Sequence, residues 1–135
     1  MSPLQELTLK LADASYEGRR FNCLPIPGSQ PVLQIEVSGQ EEFPIYITLT
    51  DTQMLCIAYL FHEDEVIAGH HAELNERCLQ LNVPIPLSAW AKIEHQYALF
   101  GALSTHSLFD NVLREIVALS DNAIAALEAV EDLLK

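Results

Sequence analysis

Five histidines, three cysteines and nineteen acidic side chains are what this chain offers for chemistry. The histidines are His62, His70, His71, His95 and His106. Two ligands on one helix converge on a metal only at i,i+3 or i,i+4 spacing. His70 and His71 are adjacent, so they point about 100° apart on a helix. His62 approaches His70 only if the helix begins after it. The pattern predicts solvated histidines and no metal. Cys23, Cys56 and Cys78 are odd in number and far apart, with no Cys-x-x-Cys, which argues against a disulfide framework or a zinc ribbon. Cys56 lies in an apolar run and reads as a small buried hydrophobe. Cys78 could serve as a nucleophile only if the fold brings a histidine to it; a core thiol is the simpler reading. Five scattered glycines form no Gly-x-Gly-x-x-Gly or Walker loop, and no Gly-x-Ser-x-Gly elbow occurs. Glu128, Glu131 and Asp132 read as the solvated end of a final helix, where they oppose its dipole at a small cost that a basic partner would relieve. No catalytic residue and no cofactor is expected.

Composition narrows the functional classes. The length, 135 residues, suits one domain spanning 1–135. Half of the residues are hydrophobic, enough for a core without staples. The formal net charge of -12 disfavours nucleic acid, which needs a basic footprint, and anionic membrane surfaces. It favours a basic protein partner, or serves solubility alone. No apolar run approaches the roughly 20 residues of a membrane span. The first residues lack the basic and apolar regions of a signal peptide, so a cytoplasmic location and no direct membrane insertion are expected.

The elements that would position these groups follow from periodicity. Leu4, Leu7, Leu11 and Ala14 recur at helical spacing over 3–14, with Ser2 as cap and Pro3 at the first position. Residues 21–26 suit a short strand, which Pro25 and Pro27 restrict to an edge or a loop. Residues 32–38 and 43–50 alternate as half-buried strands. Residues 53–61 are apolar on both faces, which predicts a strand that is central or covered on both sides. His62-Glu63-Asp64-Glu65 then opens a helix running to about Leu81, with Val66, Ile67, Leu74, Cys78 and Leu81 inward and Pro84 and Pro86 as stops. One or two strands follow between 90 and 103.

The last segment carries the strongest pattern. Ser107 is placed to cap, with Asp110 three residues on, as in a capping box. Phe109, Leu113, Ile116, Ala123, Leu127, Val130 and Leu134 form one stripe, with Leu108, Val112, Leu119, Ala126 and Leu133 beside it. A helix over 108–134 would be about 40 Å long. Its wide apolar face either packs wholly on its own sheet or also meets a twin subunit or partner. Phe109, Leu113, Ile116, Leu127 and Val130, with Glu128, Glu131 and Asp132, are therefore the candidate partner or dimer surface. The expected fold is α+β, a two-layer sandwich of an antiparallel sheet with an N-terminal, a middle and a long C-terminal helix.

The segment Tyr97-Ala98-Leu99-Phe100-Gly101-Ala102-Leu103-Ser104, followed by Ser107, Glu115-Ile116 and Leu119-Ser120-Asp121-Asn122, resembles the YjfI-type family of bacterial proteins of unknown function. Pro86-Leu87-Ser88 and Phe43-Pro44 fit the same pattern, and the match is best over 84–134. Ser120 departs from it, standing where Ala is expected. The resemblance implies no activity, but marks Tyr97, Phe100, Gly101, Ser104, Ser107, Asp121 and Asn122 as motif residues. It implies companions in envelope-stress gene neighbourhoods: a phage-shock-type, membrane-associated coiled-coil protein and an ATP-grasp ligase-like protein. The element order also resembles the small acidic chaperones of type III secretion and their YbjN-type relatives, a likeness of fold alone. The expected function is a non-enzymatic, acidic, protein-binding adaptor or chaperone-like domain, in a homodimer, with a basic or coiled-coil partner. The alternative is a small-molecule or enzymatic domain with a pocket at 90–106, near Trp90, Tyr97, Phe100 and His95, to which Cys78 or His106 would contribute. A corner made by Gly101 and Ser104 is the structural reading of the same motif.

Overall fold

A computed structural model describes residues 2–135. Helix α1 (Pro3–Ala12) starts at a complete capping box, in which the Gln5 N–H donates to Ser2 Oγ and the Ser2 N–H to Gln5 Oε1. Strands β1 (Ser15–Tyr16), β2 (Arg19–Ile26), β3 (Val32–Val37), β4 (Ile45–Leu49) and β5 (Gln53–His62) follow as an antiparallel meander. Helix α2 (His71–Leu81), strands β6 (Ala89–Ile93) and β7 (Gln96–Ser104) and helix α3 (Phe109–Val130) complete the chain, with 3-10 turns at Glu63–Glu65 and Glu131–Leu133. The seven strands form one sheet in the order β1-β2-β3-β4-β5-β7-β6, antiparallel throughout. Strands β5 and β6 thus run parallel with β7 between them, and α2 makes the long crossover that parallel strands require. Pro25 lies on β2 beyond the part that β1 pairs, where a missing N–H costs no ladder bond.

The inward residues of the sheet make the core. Leu33, Ile35, Val37, Ile45, Ile47, Cys56, Ala58 and Leu99 are fully buried, and α1 and α3 pack over them through Leu11, Ile116, Leu119 and Ala123. Helix α2 packs at the β6 edge with Leu74 and Cys78. The expected α+β two-layer sandwich with its three helices is what forms.

Three details differ from the periodicity. The acids at 62–65 open only a 3-10 turn, in which the Asp64 N–H donates to His62 Nδ1 and the His62 N–H to Glu65 Oε2. Val66 then pairs with Leu134 and Gly69 turns with φ +85, so α2 starts only at His71. Ser107 does not cap α3: its N–H goes to the Ser104 carbonyl in a turn, and Leu108 takes the cap position without a side-chain bond. Helix α3 stops at Val130 rather than 134, about 33 Å long. Arg77 from α2 donates to the Ala129 carbonyl and pairs with Asp132, which offsets the acids at this helix end.

Candidate interaction surfaces

The width of the α3 stripe is used up within the chain. Leu113, Ile116 and Val130 are buried in the core, and Phe109 and Leu127 are half-buried against it. These five residues therefore pack on the sheet and on the flanking segments of the same layer instead of forming a free face. Glu128 and Glu131 remain exposed, and Asp132 pairs with Arg77. The 3-10 turn Glu63–Glu65 lies beside this terminus, since the Lys135 N–H donates to the Glu65 carbonyl. The two segments together form an acidic end. Lys92 and His95 bind Glu63 at 2.6 and 2.8 Å and hold its carboxyl down to about 2.

The motif residues divide between packing and the sheet surface. Gly101 lies under α3. A Cβ there would overlap the Glu115 carboxylate and stand 3.0 Å from the Leu87 carbonyl oxygen. Glu115 is only 3 % exposed, and burial raises its pKa, with no ion pair among the described residues to offset it. Cys56, paired with Gly101 in the sheet, is driven to about 12 by burial first and by the Glu115 charge second. Asn122 donates to the Pro86 carbonyl (2.7 Å) and to Ser88 Oγ (3.0 Å). Asp121 accepts from Arg19 (2.5 Å) and Gln40 (3.1 Å), and Ser120 Oγ donates to Gln40 Oε1. The Ser-Asp-Asn run thus ties α3 to the 38–44 connection on one side and to the 82–88 connection on the other. Ser104 and Ser107 shape the turn into α3, with the His106 N–H on Ser104 Oγ. Glu115 was legible as part of the motif but not as a buried acid; its place between Val112 and Leu119, inside the apolar stripe, was the available signal.

The grouping expected at 90–106 does not form one pocket: of Trp90, Tyr97, Phe100, His95, Cys78 and His106, only His95 lines the open groove at 93–96. Tyr97 and Trp90 are buried on the inner face, where Tyr97 donates to Asn75 at 2.5 Å and the Trp90 indole N–H has no acceptor among the described residues. Phe100 points to the other face. His95 and His106 flank opposite ends of β7, nine residues long and hence about 30 Å. Burial pushes the Cys78 thiol up to about 11, leaving almost no thiolate near neutral pH. Among the described residues no group of His, Cys, Asp and Glu is arranged to hold a metal, and no helix is long and apolar enough to cross a membrane.

The outer face of the sheet is the surface that periodicity did not resolve. Residues 53–61 were expected at the centre or covered on both sides; β5 is central, but all three helices lie on its inner side. By register one outward row crosses six strands: Leu24, Gln34, Tyr46, Ile57, Phe100 and Ala89. Leu55 and Ala102 lie on one side of that row, and Tyr59, Ala98 and Ala91 on the other. No outward residue of β4, β5, β6 or β7 is Asp, Glu, Lys or Arg. At one end the face sinks into an open groove of about 610 Å³, lined by Tyr46, Tyr59, His62, Ile93 and His95 among others.

Comparison with known proteins agrees with the motif. Residues 2–134 match the model of a family described as uncharacterized protein conserved in bacteria (DUF2170). The chain belongs to this family. It is also 27 % identical over 113 residues to "Uncharacterized protein YjfI" of Escherichia coli strain K12, covering 81 % of this chain and 84 % of that protein. The same figures hold for the protein of that name in Escherichia coli O157:H7. The YjfI-type resemblance is thereby established, and neither the family nor these relatives carry a stated activity.

Proposed function

We propose that this chain is a non-enzymatic, acidic protein-binding domain, of adaptor or chaperone-like type, whose acidic end receives a basic segment of a partner. The observation that carries the reading is segregation of charge. Of nineteen acids only Glu36 lies on a strand, and the others lie on helices and connections. Glu63, Asp64, Glu65, Glu128, Glu131 and Asp132 lie on the 3-10 turn and the end of α3 that meet there; Glu63 and Asp132 are held by Lys92 and Arg77, which leaves Asp64, Glu65, Glu128 and Glu131 for a partner. Such a field steers a cationic partner and adds specificity to its docking. The partner placed first is the basic face of a coiled-coil protein of phage-shock type, the companion that the family resemblance implies, with a role in envelope stress.

The test is calorimetric titration with a synthetic basic amphipathic helical peptide at 20 mM and 300 mM salt. Binding at low salt is expected to weaken with salt. The triple variant Asp64→Asn, Glu128→Gln, Glu131→Gln should lose it, whereas Glu6→Gln, Asp51→Asn, Asp110→Asn should keep most of it with the same change in net charge. Equal loss in both variants would reduce the effect to net charge and remove the proposed site.

A further inference from the structure

We propose that the uncovered outer face of the sheet is the contact surface for a second copy of this chain, packed sheet on sheet. Over β4, β5, β7 and β6 the face carries no charged residue, and Glu36 on β3 is the one acid on the sheet, in a molecule of net charge -12. Ala89, Ala91, Ala98 and Ala102 keep it low around Ile57 and Phe100, so a partner sheet can approach closely. Three of its apolar residues stand well out: Leu24 is 57 % exposed, Ile26 38 % and Tyr59 37 %. A monomer rarely leaves such a contiguous patch bare.

Charge decides between occupants. A twofold contact is isologous and sets each surface against itself. The acidic end repels its own copy, so it cannot make that contact. The outer face of β4–β7 has no charge to repel, and every acid except Glu36 stays on the helical layer or in the connections. Two copies joined back to back would hold their acidic layers on opposite outsides, separated by two sheets about 10 Å apart. A basic partner gains nothing from a neutral face and is better served at the acidic end.

The area is adequate. The four strands with an uncharged outer face, at about 4.8 Å spacing and about 20 Å in length, give roughly 400 Å² of plane per copy, and the adjoining β2 and β3, with Leu24 and Gln34, bring it to roughly 600 Å². That lies at the low end of the 600–1,000 Å² per partner, approximately, of standard stable interfaces. Aligned sheets pack near -30°, an angle set by their twist.

The inference is independent of the acidic docking reading, because it predicts the opposite response to salt. Sedimentation equilibrium of the full chain at about 5 to 200 µM should give twice the 15.1 kDa chain mass. The dimer should hold or tighten in 500 mM NaCl, as repulsion between acidic layers is screened. Tyr59→Lys and Leu24→Lys alter exposed side chains on the central strand β5 and on β2, so each chain should fold normally by circular dichroism. Each should weaken the dimer roughly tenfold or more. Leu79→Lys, 71 % exposed on α2, should leave it unchanged. A folded wild-type monomer at 200 µM overturns the proposal, as does a dimer that survives both sheet variants or is broken by Leu79→Lys.

Discussion

Strand β5 carries two apolar faces with different fates. Met54, Cys56 and Ala58 lie under the helices at 7, 0 and 0 % exposure, whereas Leu55, Ile57 and Tyr59 are only half-buried or exposed on the side that no helix covers. Equal hydropathy on alternate residues therefore does not mean equal burial. One face is packed by covalent neighbours along the chain. The other is shielded only by its own strand neighbours and is free for a partner. A like contrast runs along α3: its middle buries a wide face that includes Glu115 and Ser120, leaving Asn111, Arg114, Asp121 and Ala125 as the exposed stripe, while its acidic terminus is open.

Substitutions can break this comparison, beginning with the largest effect. Leu113→Asp puts a carboxylate at a position 5 % exposed and should cost at least about 4 kcal/mol or prevent folding. Leu127→Asp, half-buried, should cost about half as much. Urea unfolding compares the two, and equal costs would mean that α3 is not enclosed as described.

Ile47→Ala and Ile57→Ala sharpen the difference between sheet faces. Ile47 is fully buried on the inner side and should lose about 2–5 kcal/mol, while Ile57 on the outer side should lose about 1 kcal/mol at concentrations that keep the chain monomeric. Similar losses would show that the outer face is covered within the monomer.

Gly101→Ala should cost about 2 kcal/mol, since the added methyl meets the Glu115 carboxylate and the Leu87 carbonyl. In a Glu115→Ala background the penalty should shrink but not vanish, because the Leu87 backbone remains. A double-mutant cycle measures that coupling.

The smallest effect is a pH slope. The Glu115 carboxyl is raised by burial, so the folded chain holds this proton at pH values where the unfolded chain has released it. Its contribution is present below the ordinary carboxylate value of 4.5 and is lost as pH rises through the folded value. Glu115→Gln should therefore be more stable than the parent at pH 7 to 8, with the gain shrinking toward pH 4.5. Thermal melts across that range check the sign. Glu63 and Asp132, both lowered by their cationic partners, act in the other direction and are common to both chains.

Much of the fold was legible in the residues. The alternation at 32–38 and 43–50 named two strands, Ser2 and Pro3 named the first helix start, and the final stripe named α3. The misread starts of α2 and α3 have local causes. Glu65 is drawn into a cap on His62, Gly69 takes a positive φ, and Ser107 spends its N–H in a turn with Ser104. Of the candidate surface, the acids Glu128 and Glu131 were read as exposed and are. The apolar members Leu113, Ile116 and Val130 are core. Periodicity identifies a face that avoids water without saying what covers it.

What the sequence determined by itself is therefore the set of amphipathic elements, their acidity and the family motif, because these depend on residue type at short spacing. Tertiary structure alone decided that all three helices share one side of the sheet, that Gly101, Glu115, Ser88 and Asn122 meet around one helix, and that the outer face stays uncovered. Those outcomes depend on strand order and register, which bring together residues far apart in the chain, such as Asn122 with Pro86 and Asp121 with Arg19. No local pattern of hydrophobicity encodes which of two apolar faces the chain will reach back to cover.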